Sequence, residues 1–75
     1  MRKVQYTAKS GNKQWKPAFS WIESVQRNDT YEGFCLACGS TQDGVEPDAR
    51  RYHCEACGSN KVYGAEELGA MGLYC

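Results

Sequence analysis

Residues 34–40 read FCLACGS and residues 53–59 read HCEACGS, so one seven-residue phrase occurs twice with both cysteines, the alanine, the glycine and the serine kept. Two cysteines separated by two residues can reach a single ion only if the chain curls tightly between them. Two such knuckles, facing each other, supply four ligands. Cys35-x2-Cys38, fifteen intervening residues, then Cys54-x2-Cys57 follows the spacing of a four-cysteine zinc site. Zinc takes four thiolates in a tetrahedron, and the resulting closed shell leaves no position for a reactive water. The expectation is therefore one structural Zn2+ held by Cys35, Cys38, Cys54 and Cys57. Gly39 and Gly58 follow the second cysteine of each phrase, where the chain needs a left-handed residue to leave the knuckle and glycine adopts it without steric cost. Ala37 and Ala56 keep the turns uncrowded.

The rest of the chain makes such a staple necessary. Seventy-five residues form one domain, and they include only three Leu and one Ile. So short a chain has a marginal apolar core and usually needs a metal or disulfides. A structural zinc site contributes on the order of 10–16 kcal/mol in small zinc peptides, more than such a core supplies. No apolar run approaches the ~18 residues that span a bilayer, and MRKVQYTAKSGNK lacks the apolar stretch of a signal peptide. The expected compartment is the cytoplasm, where thiols stay reduced and metal is favoured over disulfides. Two disulfides in a secreted miniprotein is the competing reading. The odd count of five cysteines fits four ligands plus a spare Cys75.

Lys3–Lys9 alternates as a strand does, Ser10-Gly11-Asn12-Lys13 is a turn, and Gln14-Trp15-Lys16 returns before Pro17, predicting an N-terminal β-hairpin. Ser20-x-x-Glu23 reads as a capping box for a short helix over 21–28 ended by Asn28-Asp29, with a strand as the alternative because Trp21, Ile22 and Val25 also favour sheets. Residues 41–49 read as a loop. Residues 50–53 lead into the second phrase as a strand onto which Lys61-Val62-Tyr63 pairs back. Gly64–Leu68 has the acids suited to a helix first turn, and Gly69 and Gly72 keep that helix short.

Two knuckles on one ion resemble the zinc-ribbon family, over about residues 33–64. The stretches Gly44–Arg50 and Val62–Leu68 make the chain similar, more narrowly, to small zinc ribbons encoded by phages and prophages, whose roles are largely undefined. C-x-x-C-G knuckles also resemble rubredoxin, which keeps iron open as the alternative metal, although the proline usual in a rubredoxin knuckle is missing. The expected fold class is a small metal-stapled α+β protein: a four-cysteine zinc ribbon with its two knuckles on β-hairpins, an N-terminal β-hairpin and a short helix. Residues 1–75 are read as a single domain, with a basic aromatic part (1–32), the ribbon (33–64) and a short C-terminal helix or tail (65–75).

Charge is zero overall but unevenly spread. Residues 1–27 hold six basic side chains against Glu23, a net of +5, while residues 28–75 hold three against eight acids, a net of −5. Lys9, Lys13, Lys16 and Trp15, a basic and aromatic set suited to single-stranded nucleic acid, are candidate partner-binding residues. Arg50 and Arg51 are the others, suited to a carboxylate or phosphate, with pairing to Asp48, Glu46 or Glu55 as the internal alternative. Trp15, Trp21, Tyr6, Phe19 and Tyr31 are expected to build a mini-core, and His53 to be a partly exposed strand residue. No nucleophile–base pair, open metal position or phosphate loop is present, which argues against an enzyme. The acidic ribbon repels phosphate backbones, so the expectation is an interaction module for a protein partner, of the phage-type regulator or inhibitor kind. DNA or RNA is the second choice, and no membrane or small-molecule substrate is expected.

Overall fold

Strand alternation produces the expected hairpin. In a computed structural model, which describes residues 3–75, β1 (Lys3–Thr7) pairs antiparallel with β2 (Lys13–Pro17) from Lys3↔Pro17 to Thr7↔Lys13. Pro17, which lacks an N–H for the ladder, sits at the strand end. A helix α1 (Phe19–Asn28), then β3 (Glu32–Cys35), β4 (Thr41–Asp43), β5 (Val62–Gly64) and a second helix α2 (Ala65–Met71) follow. The second sheet has the order β4-β3-β5, antiparallel throughout.

Helix α1 forms, but not through the expected cap. Ser20 lies inside the helix and the extended residue before it is Ala18, with no side-chain cap. The Phe19 N–H is satisfied instead by the Cys75 carbonyl at 2.9 Å, and Cys75 N–H returns to the Pro17 carbonyl, also at 2.9 Å. A partner from the far end of the chain thus replaces the local cap, and the C-terminal tail is pinned rather than frayed. The C-terminus of α1 is as read, with Asp29 left-handed at φ 54.

The β4-β3-β5 sheet is a wall between two cores, because side chains alternate across a strand. Phe34 and Leu36 face the helices and pack with Ile22, Val25, Ala65 and Leu68, with Trp15, Trp21, Tyr63 and Leu73 around them. Cys35 faces the other way, into a cluster with Cys54, Val45, Ala49 and Val62. The loop after β4 lies flat on the sheet: a Cβ at Gly64 would overlap the carbonyls of Glu46 and Pro47. That closeness lets Pro47 accept the Glu67 N–H at 3.0 Å in the first turn of α2.

Three other sequence expectations need correction. Thr41–Asp43, read as loop, is a strand because its register on β3 completes the hairpin around the first knuckle. Residues 50–53 do not make a strand: only Tyr52 bridges Val62, since Arg51 is left-handed at φ 54 and interrupts the ladder. All three residues of β5 pair with β3. The aromatic mini-core is also smaller than expected. Trp15 and Trp21 pack against the core, whereas Phe19 and Tyr31 are exposed.

Candidate metal centre

The two phrases fold alike. In the first, Gly39 N–H donates to the Cys35 carbonyl at 2.8 Å and Cys35 N–H to the Ser40 carbonyl at 2.8 Å. In the second, Gly58 N–H donates to the Cys54 carbonyl at 2.9 Å and Cys54 N–H to the Ser59 carbonyl at 2.7 Å. Both glycines stand at φ 79, a conformation that costs an L side chain about 1–2 kcal/mol. The first knuckle is the tip of the β3–β4 hairpin. The second lies in the segment between Tyr52 and Val62, which bridge each other.

Face to face, the knuckles bring the sulfurs of Cys35, Cys38, Cys54 and Cys57 within 4.8 Å of one another. Two of these separations, both across the phrases, are Cys35–Cys57 at 3.8 Å and Cys38–Cys54 at 3.7 Å. A tetrahedral ion with metal–sulfur bonds of ~2.3 Å places its sulfurs ~3.8 Å apart. The donor set therefore fits a four-thiolate metal centre, formed by the four residues that the spacing singled out.

Hydrogen-bond donors surround the sulfurs. Cys57 N–H points at Cys54 Sγ at 3.4 Å, and the amides of Ala37 and Cys38 act likewise on Cys35. Ser59 Oγ lies 3.1 Å from Cys57 Sγ and 3.5 Å from Cys35 Sγ, while Ser40 serves Cys38. Both serines are repeated positions of the phrase, and that repetition was the available signal for a role. The four thiols respond differently. Burial pushes Cys35 up to about 11 despite its donors. Burial acts the same way on Cys38, but the Ser40 hydroxyl and amide outweigh it and leave the thiol lowered. At the exposed Cys57 the Ser59 hydroxyl and amide dominate and lower it to about 6. A metal ion would draw on a thiolate already formed at Cys57 and would have to displace the proton of Cys35.

Two residues outside the phrases hold them in place. Gln42 on β4 grips the second knuckle, donating from Nε2 to the His53 carbonyl at 3.0 Å and accepting the Glu55 N–H at 3.1 Å. Lys3 reaches the first, with Nζ 2.9 Å from the Gly39 carbonyl and 5.4 Å from the Trp15 ring centroid. Trp15 N–H donates to the Leu36 carbonyl at 2.7 Å. The basic hairpin is thus docked on the first knuckle. Contacts between residues this far apart in sequence leave no local signature.

The remaining candidates scatter. Lys9 and Lys13 are exposed on the hairpin. Lys16 Nζ lies over the Tyr6 ring, 5.2 Å from its centroid, and Trp15 is half-buried beneath Lys3. Arg50 pairs with Glu67 at 2.9 Å, not with the acids near it in sequence, because α2 packs beside residues 46–49. His53 is exposed and outside any strand, and Cys75 is exposed. No described helix is long and apolar enough to cross a membrane. Compared with protein-family models, with curated proteins and with solved structures, the chain matches none.

Proposed function

We propose that the chain is a non-enzymatic zinc-ribbon interaction module, stapled by one structural Zn2+ and docking on a protein partner. The all-sulfur donor set, with amide and hydroxyl donors on the thiolates, supports zinc: it is a closed tetrahedral shell suited to a redox-inert ion. Metal analysis of the protein as isolated is expected to return one zinc per chain, and iron at that stoichiometry would replace the zinc reading.

One observation carries the choice of partner. The rings of Phe19 and Tyr74 stand 4.8 Å apart on the surface, 43% and 37% exposed. Rigid aromatic pairs of this kind anchor protein interfaces. The aromatics of the basic hairpin are engaged internally instead, Trp15 under Lys3 and Tyr6 under Lys16, which removes the stacking platform that a single-strand binder needs. The matching partner surface is an apolar recess with a basic rim, complementary to the net −5 of residues 28–75. The resemblance to small phage-encoded ribbons supports a regulator or inhibitor of a host protein.

The test compares the zinc-loaded protein with a Phe19→Ser/Tyr74→Ser variant in pull-downs with and without nuclease, alongside DNA and RNA binding over a salt series. A specific protein retained after nuclease treatment and lost with the variant supports the reading. Salt-sensitive nucleic-acid binding that Lys9→Glu/Lys13→Glu abolishes overturns it.

A further inference from the structure

Arg50 and Arg51 are neighbours with separate fates, and the backbone shows why. Gly64 N–H donates to the Ala49 carbonyl at 3.0 Å, and Tyr52 and Val62 exchange hydrogen bonds at 2.9 and 3.1 Å. Between these anchors two residues, Arg50 and Arg51, oppose the single Tyr63. The extra residue resembles the two-against-one count of a β-bulge, a device that re-aims a side chain. Its left-handed position, at φ 54, is filled by Arg51 where glycine is the unstrained choice. The other non-glycine residue with positive φ, Asp29, ends a helix. Arg51 has no such duty.

While Arg50 turns to Glu67, Arg51 lines an open cleft of about 390 Å³ with Asn60, Lys61 and Tyr63. Among the described residues neither Arg51 nor Lys61 has a carboxylate partner. Two cations without a carboxylate partner, an asparagine and a tyrosine thus line one cleft in the half of the chain that is otherwise acidic. Charge-assisted donors in this arrangement suit a compact oxyanion.

We propose that this cleft binds a phosphate monoester dianion, carried on a phosphorylated side chain or a mononucleotide. The net −5 of residues 28–75 repels an extended polyanion but leaves a single dianion between Arg51 and Lys61 attracted. The bulge strain is retained because it aims Arg51 into the cleft. The site shares no residue with the Phe19–Tyr74 pair and does not depend on it.

The test is amide NMR of the zinc-loaded protein titrated with inorganic phosphate, then phosphoserine, phosphotyrosine and AMP. Saturable shifts centred on residues 51 and 60–63 are expected. The phosphorylated compound that binds more tightly than inorganic phosphate identifies the source, and binding of inorganic phosphate alone overturns the monoester. Arg51→Gly separates ligand from fold: binding should weaken about tenfold or more while the melting temperature holds or rises, because glycine relieves the left-handed strain. Lys61→Gln should weaken binding with the fold intact. The proposal is overturned by the absence of saturable shifts, by undiminished binding in both variants, or by an oligonucleotide binding more tightly than AMP.

Discussion

The two knuckles share a sequence and a backbone but not a setting. Cys35 is fully buried, and Trp15 and Lys3 lie against Gly39. Across the ion site Cys57 is exposed, and nothing stands within 4 Å of where a Cβ would lie on Gly58. The buried first cysteine of one phrase is thus raised to about 11 and the exposed second cysteine of the other is lowered to about 6. Cys54 is as buried as Cys35, and Cys38 is lowered like Cys57. Local sequence sets the turn, and what packs over the turn sets its chemistry. In each knuckle the first cysteine belongs to the interior and the second lies nearer solvent, and the first knuckle is also covered by Trp15 and Lys3. The second knuckle is closed mainly by its own hydrogen bonds and by Gln42.

The sharpest way to break this comparison is to remove one ligand from each side. Cys35→Ser puts a hydroxyl in a buried position that water cannot reach, so the metal shell stays incomplete. Loss of a structural zinc removes about 10 kcal/mol or more, comparable with the whole stability of a small domain at about 5–15 kcal/mol. The variant should lose its metal and its cooperative thermal transition, read by metal analysis and near-UV circular dichroism. Cys57→Ser leaves an exposed position that solvent oxygen can fill, so it should retain metal with reduced affinity and still unfold cooperatively. Equal behaviour of the two variants would remove the distinction between a buried and an exposed ligand.

Proton competition ranks next. Cys57 is depressed from 9.0 to about 6, so its contribution is complete above 9 and is lost as pH falls through about 6. Cys35 is raised from 9.0 to about 11, so in the metal-free fold its contribution holds below 9 and is lost as pH rises through about 11. Metal uptake near neutral pH must therefore expel the Cys35 proton, and affinity should rise with pH. Metal affinity, followed by competition with a chromophoric chelator, should fall with pH more steeply below about 6, where the metal-free Cys57 also takes up a proton. A profile flat from pH 5 to 8 would contradict the assignment of Cys57 as the acid-sensitive ligand.

The ligands were legible in the sequence because C-x-x-C-G-S is a complete local instruction: four sulfurs, two left-handed glycines and two serine donors repeat at fixed offsets. The first hairpin and both helices were legible for a related reason, since alternation, turn residues and first-turn acids act within a few positions. What escaped was long-range. Ser20 and Glu23 have the pattern of a cap, but the Cys75 carbonyl satisfies the Phe19 N–H. Residues 41–43 look like a loop until β3 lies beside them. Arg51 carries no mark of the left-handed backbone imposed by anchors on either side of it. The docking of Lys3 on Gly39 was visible only as opposite net charge in the two halves.

The smallest effect isolates the cover on the first knuckle. Gly39→Ala and Gly58→Ala place a methyl group at the same φ of 79, so each should lose about 1 kcal/mol to the left-handed conformation. At Gly58 that is the whole cost. At Gly39 the new Cβ would lie 3.1 Å from Trp15 Cγ and 3.2 Å from Lys3 Cδ and Nζ. The lysine end can swing aside. The indole cannot do so readily, because its N–H-bearing backbone is tied to Leu36 and its ring packs against the core. Overpacking of this kind adds about 1 kcal/mol or more. Denaturant midpoints should therefore fall further for Gly39→Ala than for Gly58→Ala, and Trp15→Ala should narrow the gap by emptying the space the methyl group enters. If the two alanines cost the same in the presence of Trp15, the hairpin does not bear on the first knuckle, and the contrast between buried and open halves of the centre rests on the cysteines alone.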